Sequence, residues 1–182
     1  MRVRSALTAL ALVAGASVGV AAGPAAQAAP TAPAAPSAQA APAAPLITKI
    51  SHSQATSMFR SSGITWSSSG GCSDRNTPAC TSFEQLNLAS AQGAQTLKSA
   101  SGCALNVTGG TETGHAGGTY SHWNGYKLDY SLSNCLNGYV TGSFAYIGRR
   151  GDGAAMYESG SGNIYARESN HWDVTYYNCG GC

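Results

Sequence analysis

Charge is scarce in this chain and nowhere gathered. Ten Lys and Arg and eight Asp and Glu are spread over 182 residues, and no basic run exceeds the pair Arg149-Arg150. A nucleic-acid partner needs a Lys- and Arg-rich footprint to neutralise phosphates, so that class is excluded, and membrane-surface binding lacks support for the same reason. Long apolar runs are missing too. The stretch from Ala6 to about Ala22 is broken by Thr8, Gly15, Ser17 and Gly19, whereas a spanning helix needs about 20 consecutive apolar residues. There is no Gly-x-Ser-x-Gly elbow, which argues against a serine hydrolase.

What is present reads as an exported domain. Arg2 and Arg4 precede the apolar stretch and Ala26-Gln27-Ala28 offers a small-x-small cleavage site, so residues 1–28 are expected to be a signal peptide that is removed. Residues 29–45 are nearly all Ala and Pro, without the large apolar side chains that could offset the entropy of folding, and read as a linker or pro-segment. Residues 46–182 are long enough for one domain with its own core. Taking Arg2 and Arg4 from the ten basic residues leaves eight against eight acidic ones, so the mature protein is near neutral. Its six cysteines argue for disulfides formed outside the cytoplasm, and a secreted, monomeric protein is expected. Of the 15 possible connectivities, Cys72–Cys80, Cys103–Cys135 and Cys179–Cys182 are preferred. The terminal Cys-Gly-Gly-Cys reads as a staple, since no helix adjoins it to lower a thiol pKa.

The patterning predicts an α+β fold, with helices on one side of a small antiparallel sheet. Ala55, Met58 and Phe59 sit at helical spacing within Ser53 to Ser61. A longer stripe of Phe83, Leu86, Leu88, Ala91, Ala94 and Leu97 predicts a second helix from Ser82 to Gly102. Cys103 to Thr108 reads as a strand, and Leu136, Tyr139, Val140 and Phe144 permit a third helix. Tyr126, Leu128, Tyr130 and Leu132 alternate with Lys127, Asp129 and Ser131, so a strand there carries Asp129 on the face opposite its apolar set. Residues 154–158 and 163–168 predict a hairpin, and Trp172, Val174 and Tyr176 a last strand.

Two short stretches carry chemistry. His122 lies seven residues before Asp129 with Gly125 between them to allow a turn, and Glu168 lies three residues before His171, with Ser169-Asn170 breaking the strand so that both can face one way. Two imidazoles and a carboxylate form a catalytic zinc ligand set, which leaves a position for water and can bring that water's pKa to about 7. An unligated carboxylate such as Glu168 would then take the proton as a carbonyl is attacked and deliver it to the departing amine.

The run His-x-x-Gly-x-x-x-Asp at His122 to Asp129, followed by Glu-x-x-His-Trp at Glu168 to Trp172, resembles the M15 metallopeptidases, which include D-alanyl-D-alanine carboxypeptidases, D,D-dipeptidases and L-alanyl-D-glutamate endolysins. The resemblance implies one Zn²⁺ on His122, Asp129 and His171 and Glu168 as base. It also implies a peptidoglycan peptide as substrate and the fold shared with the hedgehog signalling domain. A competing expectation is a non-catalytic, disulfide-stapled binding or inhibitor module whose metal is structural or absent, with His115 as the one available fourth ligand. His115 lies in the flexible loop Thr113 to Gly118 and could replace His122 or line the cleft. His52 is expected in solvent and Trp172 in the core, while Arg149-Arg150 could contact a substrate carboxylate but are expected at a solvated helix end. Glu168 could alternatively pair with Arg167 or Arg149 at the surface.

Overall fold

The structure is a computed structural model and describes residues 47–177. The expected signal peptide, linker and Cys179–Cys182 bridge lie outside these residues. In chain order the elements are β1 (Lys49–Ile50), α1 (His52–Ser61), β2 (Thr65–Trp66), β3 (Leu86–Asn87), α2 (Leu88–Ser101) and β4 (Asn106–Gly109), then β5 (Lys127–Ser131), α3 (Asn134–Ser143), β6 (Ala145–Arg149), β7 (Ala155–Glu158), β8 (Ile164–Arg167) and β9 (His171–Thr175). The fold is α+β, with three helices among the described residues.

The main sheet runs β2-β4-β5-β9-β8-β7-β6, and β1 pairs with β3 in a small second sheet. The main sheet is mixed where an antiparallel one was expected, because the two-residue β2 joins β4 in parallel. Every other pairing in it is antiparallel.

Helix α1 starts at Ser51 through a capping box with Gln54, and Ser133 caps α3 by accepting from the Leu136 N–H. Helix α2 begins at Leu88, six residues later than the apolar stripe suggested. The Ser82 N–H donates to Glu112, the Phe83 N–H to His52 Nδ1, and Gln85 takes φ 63°. These ties hold Phe83 and Leu86 in the core by way of a turn, which the same spacing cannot distinguish from a helix. His52, expected in solvent, is an acceptor in this arrangement and stacks on Phe83 at 5.3 Å.

One face of β5 and β9 supplies Leu128, Tyr130, Trp172 and Val174 to a core that also takes Phe59 from α1, Leu97 from α2 and Val140 from α3. Trp172 is fully buried as expected, and its indole N–H donates to Asn137 Oδ1 at 2.9 Å. Disulfides join Cys72 to Cys80 and Cys103 to Cys135, the latter tying the end of α2 to α3. Among the described residues no helix is long and apolar enough to cross a membrane. The opposite face of the two central strands carries polar residues.

Candidate metal centre

Strand alternation puts Lys127 and Asp129 of β5 on that second face with His171 and Asp173 of β9. Asp129 is paired directly with Asp173 across the two strands. Like charges so placed destabilise a sheet unless something positive lies between or beside them.

Local backbone features bring the remaining groups in. The Gly125 N–H closes a turn onto the His122 carbonyl at 2.7 Å, and Gly125 takes φ 75°, a conformation side-chain-bearing residues rarely adopt. That turn returns the chain from His122 into β5. Gly109 of β4 faces Asp129 beside a register shift, and a Cβ there would overlap Asp129 Oδ2. Between β8 and β9, the Glu168 N–H donates to the His171 carbonyl at 3.0 Å. This tight turn leaves Glu168 and His171 on the same side, as the break at Ser169-Asn170 led us to expect, with Glu168 Oε2 3.5 Å from His171 Nε2.

The four residues singled out from the sequence therefore meet. His122 Nε2 is 3.3 Å and His171 Nε2 3.5 Å from the same oxygen, Asp129 Oδ1. His115 comes in from the other side, its Nδ1 3.7 Å from Asp129 Oδ2 and its ring stacked on that of His122 at 3.8 Å. Among the described residues His115, His122 and Asp129 form a group in which one donor atom from each lies within 4.8 Å of the others, and together they could hold a metal ion. His171 lies outside this group and touches it at Asp129.

Each imidazole has its outer nitrogen occupied. His122 Nδ1 bonds the Gly110 carbonyl at 2.7 Å, His171 Nδ1 bonds Asn170 Oδ1 at 2.8 Å, and His115 Nε2 bonds Glu112 Oε1 at 3.1 Å. Such outer partners fix the tautomer and turn the free lone pair inward. Glu112 is itself buried and held by the Ser82 and Gly110 N–H groups. Burial raises its pKa, but these bonds, with that from His115, outweigh it and leave the carboxyl below its ordinary value.

Two atoms test whether the residues fit a cation. Asp129 Oδ1 and Asp173 Oδ1 are buried side-chain oxygens without a hydrogen-bond partner, a costly condition for carboxylates. Without a cation, the His122 imidazolium compensates. Burial disfavours its charged form, but Asp129 and Asp173 outweigh that and push its pKa up to about 10. A metal would replace that proton, and the donor set suits one.

Two basic residues, Arg150 and Lys127, border the cleft and pair with its carboxylates. Arg150 directly follows β6, where a solvated helix end was expected, and pairs with Glu168, with Asp152 at 2.6 Å and with Asp173 at 2.7 Å. Lys127 Nζ contacts Asp173 Oδ2 at 2.7 Å. Burial raises the Asp173 pKa, but His122 and Lys127 bring it well below the usual carboxylate range. Lys127, Arg150, Glu168, His171, Asp173, His122 and His115 border one open cleft of about 460 Å³. Asp173 was legible, standing two residues after His171 on a strand; Arg150 was not, because its approach depends on how the β6–β7 hairpin folds over.

No protein-family model, curated protein or solved structure matches this chain.

Proposed function

We infer that the protein is a secreted zinc-dependent peptidase, with the metal on His122, Asp129 and His171 and Glu168 as general base. The observation that carries this reading is the convergence of His122 Nε2 and His171 Nε2 on Asp129 Oδ1, an oxygen with no hydrogen-bond partner. Ligands bonded at about 2.0–2.1 Å to a tetrahedral ion lie roughly 3.3–3.4 Å apart, close to the 3.3 Å and 3.5 Å separations here. The bound metal would polarise the substrate carbonyl and acidify a water.

The chain's own residues supply the rest. Glu168, unlike Asp129, is reachable from the cleft, so it can accept a proton from the attacking water and return it to the leaving amine. Arg150 and Lys127 border the same cleft, and a substrate carboxylate could compete for their donors. The motif resemblance to M15 enzymes directs the choice toward peptidoglycan stem peptides or cross-links and toward a fold of the hedgehog and D,D-peptidase kind. The disulfides suit an extracellular site of action.

Glu168→Gln should lower hydrolysis of peptidoglycan peptides by about 10²–10⁴-fold while zinc stays bound at one per chain; an unchanged rate removes Glu168 from the role of base. A second reading draws on His115, which lies as close to Asp129 as a further ligand would. Four protein ligands that leave no position for water describe a structural zinc site and hence a non-catalytic module. On that reading His115→Ala sharply weakens zinc binding, whereas the peptidase reading predicts that zinc and hydrolysis both survive.

A further inference from the structure

Asp173 belongs neither to the proposed ligand set nor to the proposed base, yet it is the most constrained carboxylate in the cleft. Its side chain is 6 % exposed. Oδ2 is satisfied from outside by Lys127 Nζ and Arg150 Nη1, each at 2.7 Å. Oδ1 has no hydrogen-bond partner and lies 3.7 Å from His122 Nε2. One oxygen is thus clamped by two cations while the other is buried and turned toward His122 Nε2.

Resting on the peptidase reading, we propose that Asp173 is a further ligand of the same metal through Oδ1. Separations of 3.5 Å from His171 to Asp129, 3.3 Å from Asp129 to His122 and 3.7 Å from His122 to Asp173 link the four donors in succession, so Asp173 touches the ligand set through His122. Two facing carboxylates across β5 and β9 then balance a divalent charge, which accounts for a like-charged pair at the centre of a sheet. Lys127 and Arg150 orient Asp173, in the way that outer hydrogen bonds commonly fix a ligating carboxylate. Water would then have to enter as a fifth ligand, an expansion that catalytic zinc sites sometimes show. Two carboxylates beside two imidazoles also make the site harder and more tolerant of Mn²⁺ than one with a single carboxylate.

The test uses the disulfide-bonded protein and Zn²⁺ or Co²⁺ as probes. Asp173→Asn should weaken Zn²⁺ binding by about tenfold or more, and the Co²⁺ visible spectrum should gain intensity as the ligand number falls, while Lys127→Ala should leave the spectrum's shape unchanged. Equal affinity and an unaltered Co²⁺ spectrum in Asp173→Asn overturn the assignment while leaving the proposed zinc site intact. Wild-type protein that binds neither ion overturns both. Should Asp173→Asn not fold, a crystal structure of the wild-type zinc complex decides: Oδ1 at about 2.0–2.2 Å from the ion supports a ligand, and an oxygen outside bonding distance overturns it.

Discussion

The buried His122 makes the metal-free protein sensitive to alkali in a pH range where few other groups titrate. Its folded-state pKa is raised from 6.5 to about 10 because, against the penalty of burial, Asp129 and Asp173 favour the imidazolium. A group whose pKa rises on folding contributes stability that is fully present below its unfolded value and is lost as pH climbs through the folded one. The window is therefore 6.5 to about 10. Within it each pH unit removes up to about 1.4 kcal/mol, so metal-free protein taken from pH 7 to 9 should lose on the order of 2–3 kcal/mol. For a domain of 137 residues (46–182), that lowers Tm by about 10 °C. Metal binding must displace the same proton, so zinc affinity should rise about tenfold per pH unit over this range. Scanning calorimetry of chelator-treated and zinc-loaded protein reads both effects, since the gap between the two Tm values widens with pH. A metal-free Tm that stays flat from pH 7 to 9, or an equal slope in His122→Gln, refutes the reasoning.

Other perturbations separate site from scaffold. Gly109→Ala places a methyl group against Asp129 Oδ2, so zinc affinity should fall by at least about tenfold, measured by chelator competition. Replacing Cys103 and Cys135 with Ala opens a link spanning 32 residues. Denaturant unfolding should show a loss of about 3–4 kcal/mol, with zinc affinity in the folded state unchanged. Glu112→Gln removes the carboxylate that holds His115. It should leave zinc affinity within about threefold on the peptidase reading and weaken it by about 10–100-fold if His115 is a ligand, read by the same competition assay.

Much of the frame was legible because it rests on local periodicity. The alternation around Asp129 separated a core face from a polar one, and the hairpin ending at Glu168 and restarting at His171 follows from residues that cannot continue a strand. Two of the preferred disulfides are present for a related reason, since they close loops that neighbouring elements bring together. The start of α2 was misread where Glu112 and His52, distant in sequence, capture the backbone of Ser82 and Phe83. Within the cleft, the spacing gave His122, Asp129, Glu168 and His171 as candidates, while the approach of His115 follows from its bond to Glu112 and its stacking on His122. Arg150 could not be read because its contacts with Glu168 and Asp173 are long-range pairings of side chains across the hairpin.

The central claim is metal-dependent cleavage of cell-wall peptides at this cleft. The most direct measurement is mass spectrometry of fragments released from purified peptidoglycan by zinc-loaded protein, with chelator-treated protein and Glu168→Gln in parallel. The account predicts free D-alanine or shortened stem peptides from the zinc-loaded wild type alone. No release from zinc-loaded protein, or equal release from all three, contradicts it.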